Sequence, residues 1–167
     1  SVECVFSKNN LYVTYQIGTF VYFSYYRTNI IPPSWTAPQQ VSGNIYSATN
    51  PRITINNYGS VDTVYFTFDE FDARQIKWRR YNVDSGMGPL FSFYQSSRYY
   101  LKNLCVSVDN SYIYYFYYDI VGLRNQWRVN RIWNNSFYVA GATTGTTVQQ
   151  KIFSTTTANN TPCTAAW

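Results

Sequence analysis

Short runs of Tyr, Phe, Val, Ile and Thr recur along the whole chain, and each is stopped by a turn signal. Residues of this kind suit a pleated, half-buried surface. Leu11 to Gln16, Phe20 to Tyr26, Arg52 to Asn56 and Val61 to Phe68 read as strands, with Asn57-Tyr58-Gly59 turning the third into the fourth. Ser85-Gly86-Met87-Gly88-Pro89 is a turn. Leu90 to Tyr94, Tyr99 to Val108 and Ser111 to Ile120 follow as strands, the last two joined by an Asp109-Asn110 hairpin signal. Trp127 to Trp133 and Phe137 to Ala140 come next; Gly141 to Thr147 is a small-residue loop, and Val148 to Phe153 reads as the last strand. Helix formers such as Ala, Leu, Glu and Lys are scarce while aromatics reach 20%, so the expected fold class is mainly β (α+β).

One stretch breaks the alternation. Asp69, Glu70 and Asp72 precede Lys77, Arg79 and Arg80, an order that complements a helix dipole, with Asp69 as the N-cap. The expectation is one short helix over residues 69–80, with a twisted antiparallel sheet packed around it. The rival reading starts a strand at Ile76 and runs it to Val83.

At 167 residues the chain is long enough for one domain with a sizeable core. The boundaries expected are a single β-rich domain over 1–153 and a peripheral Thr/Asn-rich tail over 154–167. Ser1 opens directly in a strand-like run, as an excised domain would. No self-similarity of solenoid or propeller period is apparent. No run reaches the ~18 apolar residues of a membrane span, so membrane insertion by this domain is not expected. Cys4, Cys105 and Cys163 are an odd set. Cys105 sits in an apolar run as a small hydrophobe, and a Cys4–Cys163 bridge would require the termini to meet.

The chemistry available is narrow. There is no His, hence no imidazole base, no imidazole metal ligand and no Ser-His or Cys-His pair. Three scattered cysteines lack zinc spacing, and Gly86-Met87-Gly88 lacks the Lys of a phosphate loop. No cofactor is expected. Two carboxylates can hydrolyse a glycosidic bond, but Asp69, Glu70 and Asp72 fall at a helix start and Asp84 and Asp109 in turns, and Asp119 is the one acid that stands outside a plain structural role. The expectation is a binding domain, not an enzyme.

Charged residues are only 13% of the chain, so solubility rests on amides and hydroxyls. The 18 Tyr, 11 Phe and 5 Trp exceed what a core needs. Flat rings combined with planar polar groups suit sugars, whose C–H faces stack and whose hydroxyls both donate and accept. Two regions carry that mix. One is Asn125 to Asn135, with Trp127, Arg128, Asn130, Trp133 and Asn134 as candidate glycan-binding residues. The other is Trp35, beside Pro32 and Pro33 and followed by Gln39, Gln40 and Asn44. An edge strand with its Trp side chains in the core is the plain alternative for the first region. Lys77-Trp78-Arg79-Arg80-Tyr81 interleaves bases and rings as single-strand nucleic-acid binders do. The modest net charge of +5, with only four Lys, makes that reading the weaker one.

Gly88-Pro89-Leu90 is preceded by Gln75-Ile76-Lys77-Trp78 and followed by Leu104-Cys105-Val106-Ser107-Val108 and Tyr112-Ile113-Tyr114-Tyr115. This succession resembles the glycan-binding head of rotavirus outer-capsid spikes, in its divergent group B form. The resemblance implies a twisted antiparallel sheet clasping a short helix, a place on the virion outer capsid surface and attachment to the remainder of the spike protein. It also implies recognition of galactose or N-acetyllactosamine-type glycans on host cells, with no nucleic-acid partner. It carries no site residues over. A cellular or fungal lectin and a protein- or nucleic-acid-interaction module are the alternatives.

Overall fold

The computed structural model describes residues 1–56, 60–70, 72–95, 101–119, 124–142, 152–156 and 162–166. Their strands form three antiparallel sheets and a hairpin. Sheet 1 contains β1 (Val2–Ser7), β2 (Asn10–Ile17), β3 (Phe20–Arg27) and β4 (Ser34–Trp35) side by side, with the two-residue β5 (Gln39–Gln40) also on β3. Sheet 2 contains β6 (Ala48–Asn56), β7 (Thr63–Glu70), β8 (Gln75–Asn82) and, beyond the short β9 (Gly86–Met87), β10 (Phe91–Gln95). Sheet 3 is β11 (Leu101–Val108), β12 (Tyr112–Asp119), β13 (Arg124–Arg131) and β14 (Phe137–Ala142). The hairpin pairs β15 (Ile152–Thr156) with β16 (Pro162–Ala166).

Each sheet is an up-and-down meander of segments that follow one another in sequence, and the sheets stack face to face. Their first strands gather, β1 beside β6, β6 beside β11 and β11 beside β15. This is the arrangement that blades have in a β-propeller. The Glu3 carboxylate ties β1 to β6, accepting from the Arg52 guanidinium and, at 3.1 Å, from the Ile53 N–H. Asn56 ties β6 to sheet 3, donating to the Asp109 carbonyl at 3.1 Å.

The period-2 alternation of the strands explains why sheet 2 sits in the middle. On β7, Val64, Phe66 and Phe68 face sheet 1, where they pack with Tyr12, Val21, Phe23 and Tyr25. Tyr65, between them, faces the other way with Ile76 and Trp78 of β8, against Ile113, Tyr115 and Tyr117 of sheet 3. A strand that is apolar at nearly every position can be satisfied only by cover on both sides. The ring contacts are close: Phe23 to Phe66 at 4.9 Å and Phe93 to Tyr115 at 3.7 Å between centroids.

Two expectations are corrected. Among the described residues there is no helix, and three sheets replace the single sheet wrapped on one. Residues 69–80 are the β7–β8 hairpin, so Asp69 is no N-cap; the strand reading from Ile76 is the right one. The acid-then-base order has a cross-strand cause. Phe68 stands opposite Lys77 and Glu70 opposite Gln75, and the Lys77 ammonium reaches Glu70 Oε2 at 3.2 Å. The second correction is the repeat. Tyr12, Tyr65 and Tyr114 occupy equivalent places on the second strands of the three sheets, as do Phe23, Trp78 and Trp127 on the third. The second-strand positions are all Tyr and the third-strand ones Phe, Trp and Trp, but the spacing between them is uneven. Cys4 and Cys105 are free thiols, so no Cys4–Cys163 bridge is formed. The strand expected over Val148 to Phe153 lies largely outside the described residues.

Candidate functional site

Asn10 opens β2 and Arg27 closes β3, and antiparallel register places them opposite each other. The two-residue turn at Gly18-Thr19, where Gly18 takes φ 59°, fixes that register. Tyr25 lies on the same face two residues earlier, and Asn29 and Ile30 follow in the loop. With Val83, just past the end of β8, these residues line an open cavity of about 320 Å³ where sheets 1 and 2 meet.

The walls are held from behind. Asn10 Nδ2 donates to the Tyr12 hydroxyl at 3.1 Å, and that hydroxyl donates to Asp62 Oδ2 at 3.0 Å. Asp62 is buried, and its other oxygen accepts from Ser7 Oγ at 3.0 Å and pairs with the Lys8 ammonium at 3.3 Å. The Arg27 guanidinium lies 5.2 Å from the Tyr25 ring centroid. Tyr81 donates to the Tyr25 hydroxyl at 3.4 Å. Burial pushes the Tyr81 phenol up to about 12, reinforced by its bond to Tyr25. Burial and the neighbouring Asp62 charge raise Tyr12 as well. Both stay neutral near pH 7 and act as hydrogen-bonding groups, not as acids.

The cavity therefore offers amides, a guanidinium and a ring around the apolar Ile30 and Val83. Such a set can hold a polyhydroxylated ligand. None of its lining residues is a carboxylate, thiol or imidazole that could move a proton at neutral pH. Among the described residues no cluster of His, Cys, Asp or Glu could hold a metal ion.

The residues singled out in the sequence are placed elsewhere. Trp35 on β4 is 53% exposed and packs on Tyr26 at 5.3 Å between centroids, on the outer face of sheet 1. Trp127, Arg128 and Asn130 are on β13, in sheet 3, and Trp133 and Asn134 are in the turn that follows. Trp127 is half-buried over Gly141. Arg128 lies 4.5 Å from the Phe137 ring centroid. Asn130 is 1% exposed, and its amide donates to the Asn135 carbonyl and side-chain oxygen at 3.0 and 2.9 Å. Trp133 is 60% exposed, 6.4 Å from the Tyr112 ring. Asn134 Oδ1 accepts from the Ser136 N–H at 3.0 Å, closing the turn. The five follow one another along β13 and the turn after it, and Trp35 is not with them. Asn10, Tyr25, Arg27 and Asn29 carried no sequence signal of their own; only the β2–β3 register brings them together.

No family model matches the chain, and neither a curated protein nor a solved structure matches it.

Proposed function

We propose that the chain is a non-enzymatic glycan-binding module that takes its sugar in the cleft between sheets 1 and 2. The observation that carries this reading is the lining itself, with Asn10, Asn29 and Arg27 around Ile30, Val83 and the Tyr25 ring. Sugars need apolar contact and bidirectional hydrogen bonding in one place, and this cleft supplies both. Affinity at one site is modest, because water already satisfies sugar hydroxyls and the cleft is open. Galactose and N-acetyllactosamine-type glycans are the first class to test. A role in viral attachment at a virion surface is the biological setting that the spike-head resemblance suggests. The short helix of that resemblance is not in the described fold, so the cleft supports the binding reading and the resemblance only the setting.

The test is a glycan array on the purified chain, repeated with Arg27→Ala and Trp133→Ala. Expected are signal on galactose-containing glycans, loss of that signal in Arg27→Ala with an unchanged circular dichroism spectrum, and retention in Trp133→Ala. Silence across the array overturns the function; loss in Trp133→Ala with retention in Arg27→Ala moves the site to sheet 3.

A further inference from the structure

Of the two amides that line the cleft, Asn10 is tied to a partner behind it. A half-turn exchanges the donor and the acceptor of an asparagine amide, so a free one offers a ligand either. At Asn10 the choice is made from within. The buried Asp62 carboxylate only accepts: Oδ1 takes the Ser7 hydroxyl at 3.0 Å and the Lys8 ammonium at 3.3 Å, and Oδ2 takes the Tyr12 hydroxyl at 3.0 Å. The phenol has one hydrogen, and the charge-assisted bond to the carboxylate claims it. Burial and the Asp62 charge raise the Tyr12 phenol, so that hydrogen stays in place near pH 7. What the phenol has left for Asn10, 3.1 Å away, is a lone pair. Only Nδ2 can meet it. The Asn10 carbonyl oxygen is therefore the atom turned away from Tyr12, and among the described residues no group donates to it.

The neighbouring strand supplies the reverse polarity. Arg27 stands directly opposite Asn10 across β2 and β3, so the two side chains leave the sheet on the same face, and both line the cleft. A guanidinium has donors and no acceptor. The cleft thus sets a fixed acceptor, Asn10 Oδ1, beside a fixed donor, Arg27.

We propose that Asp62 and Tyr12 are positioning residues that lock Asn10 as an acceptor, and that the cleft thereby selects glycans with a free hydroxyl next to an oxygen that accepts from Arg27. This rests on the glycan reading of the same cleft and adds the polarity of the site to it. The hydroxyl donates to Asn10 Oδ1, and its neighbour on the sugar takes the guanidinium. A sugar whose oxygen at that place is an ether, an ester or a glycosidic link has no hydrogen to give. It leaves two acceptors face to face, and the cleft rejects it.

The test is an NMR titration of the full chain with N-acetyllactosamine, and with derivatives in which each galactose hydroxyl in turn is replaced by fluorine. Fluorine keeps the polarity of the carbon–oxygen bond but cannot donate. Wild type is expected to bind one of these derivatives about tenfold or more weaker than the parent sugar, the effect of one acceptor left unmet. In Tyr12→Phe the amide is free to turn Nδ2 toward the ligand. There the same ratio is expected to shrink to about threefold or less, with somewhat weaker binding of the parent sugar. Asp62→Asn removes the charge that claims the phenol's hydrogen; it is expected to narrow the ratio too, and it replaces Tyr12→Phe if circular dichroism shows that variant unfolded. A ratio that both variants leave unchanged, with binding weaker throughout, is what a purely structural network gives. That result overturns the positioning role and leaves the glycan reading standing. So does a wild type indifferent to every fluorinated derivative. A wild type that does not bind N-acetyllactosamine also overturns the inference, and the glycan array then decides whether the glycan reading falls with it.

Discussion

Trp78 donates its indole N–H to the side-chain oxygen of Asn135 at 2.8 Å, joining the middle sheet to the turn that closes sheet 3. The same oxygen accepts from Asn130 at 2.9 Å, and the Asn135 amide donates to the Ser92 carbonyl at 2.7 Å. Asn135 also holds a left-handed backbone, φ 56°. Asn135→Ala strands the indole N–H and adds backbone strain, an expected loss of about 2–4 kcal/mol in urea unfolding. Asn135→Gly keeps the backbone relaxed and loses less, by about 1 kcal/mol.

Asp62 is the second junction to test. Removing its carboxylate leaves the buried hydroxyls of Ser7 and Tyr12 without an acceptor. Asp62→Ala is expected to cost about 2–4 kcal/mol, while Tyr12→Phe, which removes one donor only, costs about 1 kcal/mol. Equal losses would show that the network behind the cleft does not depend on the carboxylate.

Gly141 has no room for a side chain. A Cβ built there lies 2.5 Å from the Trp127 ring, on the adjacent strand. Gly141→Ala is expected to displace the indole and destabilise by about 1–3 kcal/mol, with a shift in Trp fluorescence. In Trp127→Leu, the same glycine substitution costs clearly less.

Alkali separates the buried phenols from the exposed ones. A phenol ionises near 10.0 when free, and the fold holds Tyr81 up at about 12 and raises Tyr12 and Tyr114 too. The folded state therefore keeps protons that the unfolded chain has released. Stability from these groups is fully present below pH 10.0 and is lost as pH rises through about 12. Tyrosinate absorbance should rise in two stages, the later one coinciding with loss of the sheet dichroism. A single smooth titration near pH 10.0, with the fold intact, would contradict this.

Much of the β architecture was open to reading because strand signals are local. Leu11 to Gln16, Phe20 to Tyr26 and Ser111 to Ile120 need only their own composition and the turns beside them. The β7–β8 hairpin was not, because Asp69, Glu70 and Lys77 make a good helix dipole in one dimension. What decides for strands is the partner: Phe68 finds cover from sheet 1, and Tyr65 and Trp78 find it from sheet 3, and that cover is invisible in a local window. The repeat escaped for a related reason, since turns and loops of unequal length separate the equivalent Tyr12, Tyr65 and Tyr114 and blur the period. Trp35 is at the surface on an edge strand, its prolines keeping it out of a central ladder. The cleft was illegible, because Asn10 meets Arg27 only once the register is known.

Sheet 2 is walled on both sides by a full sheet, whereas sheet 1 has an outward face and sheet 3 is followed only by the β15–β16 hairpin. Order in this molecule is thus graded along the stack, as in arrays where every unit leans only on its neighbours. Opening fluctuations should begin at either end and travel inward, so the amides of β7 and β8 would be the last to trade their hydrogens for deuterium.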